Sequence, residues 1–365
     1  MASSSIWEKI RELSSTSGQG NVWLVAKRGA TEPTERLLQA LSINVAKAIS
    51  TEEERASSRK QFEIALQDFI DRKYVLGAMK QLKDPNDEAK VRLKREVEVY
   101  KTISDPHLVK LLDTNLSENW IVTEFQPNGT LQDRLPQFRG DVLSTLRALR
   151  PLVRVIGEMH SSDFTHRDLK PGNIFIGWNG QFVCGDAGLA FYSNDHGARV
   201  TRTYENVGAR DYMPAWAMSR RSEISPTFDV FSVGKVVWAM IAGRPACALW
   251  YIHEDDTDLE KIFANEGSFL WANELLDKCV VEREGQMRVK NGTELLAEID
   301  TTITAIEGRA VPPSQMHQVR RSCRVCGVGE YMRSQATIGN DVNGRRSIAY
   351  ECNRCGHIEL FRDLG

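Results

Sequence analysis

The sequence predicts an α+β protein in two unlike parts, strand-rich up to about residue 126 and helical over 127–308, followed by a small cysteine-bearing module. Three observations carry that expectation. The strand-like stretches NVWLVAK, YVLGAMKQL, HLVKLLD and WIVTEF all fall before residue 126. Apolar residues at helical spacing take over from residue 142. Four of the seven cysteines are crowded into the last 45 of 365 residues. The composition, 41% hydrophobic and 26% charged, is that of an ordinary globular protein. A net charge of −2 exerts no global pull toward nucleic acid or anionic membrane.

Taken in chain order, NVWLVAK (21–27) follows a Ser/Gly stretch and reads as strand. A helical insertion is expected over about 29–73. Leu37, Leu38, Leu41, Val45 and Ile49 mark one apolar face in it; Phe62, Leu66, Phe69 and Ile70 mark another. YVLGAMKQL (74–82) returns to strand, DEAKVRLKREVEVYKTI (87–103) to helix, and HLVKLLD and WIVTEF are two further strands around a polar turn. In the second part, Leu143, Leu146, Leu149, Val153 and Ile156 predict a helix over 142–159, which Pro151 should kink or restart. Residues 227–242 form an apolar helix, too short to span a bilayer and carrying Lys235, and 293–305 another. A Pro-rich linker at 309–319 leads into the module at 320–365. MASSSIWEKIREL is too polar for a secretory signal, so a cytoplasmic protein without membrane contact is expected.

The most specific stretch is HRDLKPGNIF at 166–175. It sets Asp168, Lys170 and Asn173 on one loop. An aspartate there can accept a proton from an attacking hydroxyl. The lysine can offset charge on a transferring phosphoryl group. The asparagine offers a neutral oxygen suited to Mg²⁺. Asp186 follows Asn173 by 13 residues, with a short strand between, so both metal oxygens could converge.

This loop resembles the catalytic loop of eukaryotic-like (Hanks-type) protein kinases, and the resemblance runs over roughly residues 10–305. It implies a bilobal fold, with an N-lobe at 1–126 and a C-lobe at 127–308, and it implies ATP and Mg²⁺. SSTSGQGNV looks like the glycine-rich loop, with Ser15, Ser17 and Gly20 in the three glycine positions. Lys80 matches the phosphate-binding lysine and Glu96 its helix partner. Thr123 takes the gatekeeper position, and Glu124–Gln126 line the adenine edge. Val22, Ala78 and Phe175 are the further nucleotide contacts implied. DVFSVG (229–234) resembles the signature opening the large helix of the C-lobe. Lys170 points to serine/threonine rather than tyrosine as acceptor. Ser193, Thr201, Thr203 and Tyr204 are candidate phosphorylation sites that Arg167 could pair with, autophosphorylation included.

Departures from the family pattern are specific. Asp-Phe-Gly is Asp186-Ala187-Gly188 here, and the helix position that normally packs on that Phe, together with His166 and Leu111, is Tyr100. Tyr100 is expected to fill part of the volume that Ala187 leaves. A usual Gly-Thr is Gly208-Ala209. Trp216 replaces the glutamate that would pair with Arg288, which should then be unpaired or stack on the Trp.

In the tail, Cys323 and Cys326 (CRVC) and Cys352 and Cys355 (CNRC) form two pairs, each followed by glycine. Their spacing resembles a zinc ribbon with four thiolates on one Zn²⁺. The module is too small to bury a sufficient core, so metal would supply its folding energy. Its partner is open between protein and nucleic acid. The leading expectation is ATP-dependent phosphorylation of protein Ser/Thr hydroxyls. The alternatives are a pseudokinase scaffold recruiting partners through the ribbon, and a small-molecule kinase.

Overall fold

The computed structural model describes residues 6–14, 20–27, 75–83, 85–177, 179–189, 191–192, 211–218, 224–246, 250, 252–263, 267–308, 331–340, 346–352 and 358–362. The expected helical insertion, Ser15 and Ser17, the candidate phosphorylation sites, Ala209, Cys323, Cys326 and Cys355 lie outside them.

The N-terminal part is a five-stranded antiparallel sheet. It comprises β1 (Trp7–Ser14), β2 (Asn21–Lys27), β3 (Leu76–Gln81) and, after helix α1 (Asp87–Thr102), β4 (Leu111–Asn115) and β5 (Trp120–Glu124), in the order β1-β2-β3-β5-β4. The sequence gives no strand signal for β1. Its apolar Trp7, Ile10 and Leu13 stand three apart, a spacing closer to helix than to alternation. Irregularities in its pairing with β2 between Lys9 and Arg11 and between Glu12 and Ser14 each absorb one extra residue. Trp7 thereby reaches a core of its own with Val25, Met79, Trp120 and Val122 on one face of the sheet. Its indole nitrogen donates to Asp113 Oδ2 at 2.8 Å. Gly77 is required there, because a Cβ would come within 2.3 Å of Val122 Cγ1.

The opposite face carries Ile121, which shares the main core with Leu93, Val97 and Tyr100 of α1. Asn86 caps α1 by accepting from Ala89 N at 2.8 Å, and Asp87 and Glu88 in the first turn suit the helix dipole. The expected strand HLVKLLD begins late, at Leu111. Its first residues pair elsewhere: Val109 N donates to Cys184 O, and Cys184 N to His107 O, both at 2.8 Å.

The helical part opens with α2 (Val142–Ser161), then the short strands β6 (Phe164–Thr165), β7 (Ile174–Ile176), β8 (Phe182–Cys184) and β9 (Phe191–Tyr192). Helices α3 (Thr227–Ala242), α4 (Leu259–Phe263), α5 (Gly267–Cys279) and α6 (Gly292–Glu307) follow. Of the two expectations for Pro151, a kink or a new start, the new start is not seen: α2 runs on through it. A proline inside a helix costs about 3 kcal/mol. Leu146, Leu149, Leu152 and Val153 around it are each fully buried, and each such side chain contributes about 1.5–3 kcal/mol. Burial outweighs that cost. Helix α3 is buried along its whole length, Lys235 included, and ends at Gly243 with φ 70°. Among the described residues no helix is long and apolar enough to cross a membrane.

The C-terminal segment forms a separate antiparallel sheet, β10 (Tyr331–Asn340), β11 (Arg346–Cys352) and β12 (Ile358–Arg362), in that order.

Candidate active site

Strand register builds the first wall. Val22 lies opposite Lys80, Leu24 opposite Ala78, and Ala78 opposite Thr123, so alternation puts Val22, Ala78, Lys80 and Thr123 on one face. Gly20 enters β2 at φ 154°, and a Cβ on it would lie 2.4 Å from Gln81 O, so no other residue fits. At the strand's end Thr123 Oγ1 donates to Ala78 O at 3.4 Å and Phe125 N to Leu76 O at 3.4 Å. Gln126 Nε2 donates to Glu124 Oε2 at 3.3 Å, while Gln126 Oε1 is buried without a partner among the described residues. Phe175 bridges to Thr130 and stands over Gly185.

Lys80 Nζ lies 2.9 Å from Glu96 Oε2 and 2.9 Å from Asp186 Oδ1. Burial disfavours its ammonium, yet Asp186 and Glu96 together hold the pKa above the ordinary lysine value. Burial pushes Glu96 up, against the pull of Lys80. Lys80 holds Asp186 below the usual carboxylate range, and the Asp186 side chain stays 44% exposed.

The second wall is the loop 166–173. Lys170 Nζ contacts both Asp168 oxygens at 2.9 and 2.8 Å. Asn173 Nδ2 donates to Asp168 O and Oδ2, both at 2.8 Å, so its carbonyl oxygen remains its donor for a cation. Burial raises the Asp168 pKa, partly offset by Lys170. Gly185 N donates to Asn173 O at 3.0 Å and His166 Nε2 sits 3.1 Å from Gly185 O, which ties Asp186 to this loop. Lys80, Glu96 and Asp186 thus form one hydrogen-bonded group, and the Gly185–Asn173 bond joins it to the loop that carries Asp168 and Lys170.

Two further residues, Asp229 and His160, brace the loop from behind. Asp229, taken from sequence only as the opening of a helix signature, is fully buried and accepts from His166 N at 2.7 Å and Arg167 N at 2.8 Å. His160 Nε2 lies 2.9 Å from its Oδ2, and His160 Nδ1 accepts from Gly292 N at 2.9 Å. The one available signal is a carboxylate in an otherwise apolar run. Tyr100 reaches Ala187 with its hydroxyl: Ala187 N donates to Tyr100 Oη at 3.3 Å. Trp216 packs edge-on against Phe231 with ring centroids 5.4 Å apart, while Arg288 is exposed.

The protein kinase domain family matches residues 69–285. The chain is similar to U-box domain-containing protein 70 of Oryza sativa subsp. japonica, 31% identical over 191 residues, 49% of this chain and 23% of the relative. It is also similar to a cell cycle serine/threonine-protein kinase of Saccharomyces cerevisiae, 30% identical over 190 residues, 50% of this chain and 26% of the relative. A CBL-interacting serine/threonine-protein kinase of Arabidopsis thaliana is 27% identical over 175 residues, 47% of this chain and 37% of the relative. The aligned part of this chain spans only 23–37% of the length of these relatives. With a family match that takes in more than half the chain and includes Lys80, Glu96, Asp168 and Asp186, the chain belongs to the protein kinase domain family.

Proposed function

We propose that this protein transfers the γ-phosphoryl group of ATP to serine or threonine hydroxyls of protein substrates, its own included. The observation that carries the reading is Lys80 held between Glu96 and Asp186 at 2.9 Å each, beside an Asp168 that Lys170 and Asn173 orient. The names of the serine/threonine kinase relatives support the acceptor class.

The residues present fit the nucleotide and the metal. Gln126 Oε1 is a buried acceptor in need of a donor, which a purine amine supplies. Asn173 and Asp186 are the hard oxygen donors that Mg²⁺ takes. When bound, the cation supplies neutralisation of phosphate oxygen charge. Lys80 binds and orients the phosphates, and Glu96 holds Lys80 in place. Asp168 accepts the proton of the incoming hydroxyl, aided by a pKa raised by burial. Lys170 stabilises charge on the transferring group. The Val22, Ala78 and Thr123 face and Phe175 enclose the base.

The divisions at 1–126, 127–308, 309–319 and 320–365 belong to the same reading, as does a zinc ribbon in the last of them. In its support, Tyr331 lies opposite Cys352, so the chain enters β10 and leaves β11 at the same end of the sheet. The CRVC pair precedes the first point and the CNRC pair includes the second. Four thiolates there match the donor set of a structural zinc site. Metal analysis of purified protein should find one zinc per chain, lost on Cys352→Ser together with the amide protection of β10–β12. Unchanged zinc content in that variant refutes the ribbon.

The kinase reading is tested by incubating the protein with labelled ATP, Mg²⁺ and a generic protein substrate. Label should appear on serine or threonine and vanish in Asp168→Asn and Asp186→Ala. Label that persists in Asp168→Asn, or its absence from the unaltered protein, overturns the reading; in the latter case retained nucleotide binding would favour a scaffold.

A further inference from the structure

Glu96 and Tyr100 are one helical turn apart on the same face of α1. The Tyr100 hydroxyl donates to Glu96 Oε1 at 3.1 Å and accepts from Ala187 N at 3.3 Å. One hydroxyl can do both, having one donor and two lone pairs. The other Glu96 oxygen takes Lys80, and Lys80 takes Asp186, the residue before Ala187. A closed ring results: Tyr100, Glu96, Lys80, Asp186, Ala187 and back to Tyr100.

We propose that the Tyr100 hydroxyl is a positioning group that couples α1 to the Asp186 loop, replacing with a polar bridge the packing that a large apolar side chain at position 187 would provide. The inference rests on the kinase reading of this same site. Ala187 has no solvent exposure and Tyr100 is 7% exposed, so neither partner of this hydrogen bond can exchange it readily for water. Asp186 sits at φ 56°, a left-handed conformation that a non-glycine residue adopts only when its surroundings hold it. The bond to the next peptide N–H is such a hold. Movement of α1, or a turn of the Asp186 peptide, breaks the ring, so the lysine–glutamate pair and the metal-facing carboxylate are set together. Burial and the Glu96 charge keep the phenol protonated, hence a donor, throughout the neutral range. Volume alone accounts for the ring of Tyr100 but not for the placement of its oxygen between two polar partners.

The decisive variant is Tyr100→Phe, which keeps the ring and removes the hydroxyl. Amide hydrogen exchange at residues 185–189 should be about tenfold faster than in the unaltered protein. kcat/KM for ATP should fall about tenfold while KM for the protein substrate is unchanged. Exchange and ATP kinetics equal to those of the unaltered protein overturn the bridge and leave Tyr100 as filler. A second pair separates bridge from packing: Tyr100→Leu with Ala187→Phe should recover activity that Tyr100→Leu alone loses. A double variant no more active than Tyr100→Leu refutes the claim that the bridge substitutes for packing. Failure of the kinase reading remains distinguishable, since the exchange measurement needs no turnover.

Discussion

Lys80→Met should lower phosphoryl transfer by on the order of 10²–10³-fold, the range for removing one preorganised charge from a transition-state site. The side chain length is kept and the charge is lost, so the loss reports electrostatics rather than packing. Glu96 and Asp186 would then face one another without the cation that now stands 2.9 Å from each. Glu96, with 4% side-chain exposure, cannot turn to water. Its pKa, already raised by burial, should climb further once Lys80 no longer opposes the shift. The variant should therefore lose stability at neutral pH and recover part of it as pH falls and Glu96 binds a proton. A folded-state pKa raised above the unfolded value makes the folded state the better proton binder, so stability is lost as pH rises through it. Melting temperatures of Lys80→Met and unaltered protein between pH 5 and 8 check this; a difference independent of pH would show that Glu96 finds another partner.

Asp229→Ala should destabilise the helical part by about 3–5 kcal/mol, the cost of removing one side of a buried, charge-assisted network. The carboxylate has no solvent exposure and receives His166 N, Arg167 N and His160 Nε2. Without it the two peptide N–H groups lose their acceptor, and Arg167, at φ 70°, loses what holds its left-handed backbone. Asp168 is the next residue, so activity should fall with the stability, and Asp229→Asn should retain part of both because one oxygen still accepts. Burial favours the protonated acid, but the His160 hydrogen bond, the neighbouring histidine charges and the Arg167 N–H together outweigh it, and the pKa is lowered. A depressed pKa stabilises above the unfolded value of about 3.9 and is lost as pH falls through the lower folded value, so this contribution is intact at neutral pH. Chemical denaturation of the three proteins at pH 7 measures it. An Asp229→Ala midpoint equal to that of the unaltered protein would show that the loop is held by other contacts.

Local pattern proved informative where it coincided with burial. NVWLVAK is β2 residue for residue, and the apolar run 227–242 is α3. Pattern misled where tertiary pairing overrode it: His107 and Val109 bond to Cys184 rather than continuing β4. The buried leucines around Pro151 carry α2 through it without a restart. β1 was illegible because two extra residues hide its alternation.

Which chemical groups the protein has, and their order, can be read along the chain: Lys80, Glu96, the HRDLKPGN loop, Asp186 and the two cysteine pairs. These are readable because residue type and short spacing are properties of the chain alone. What holds those groups in place depends on contacts between distant segments. The Tyr100 hydroxyl meets Ala187 across 87 positions, and Asp229 meets His166 across 63. Trp216 meets the ring of Phe231 on the following helix. Such contacts are worth little in water and much once both partners are buried, and no spacing rule encodes burial between segments so far apart.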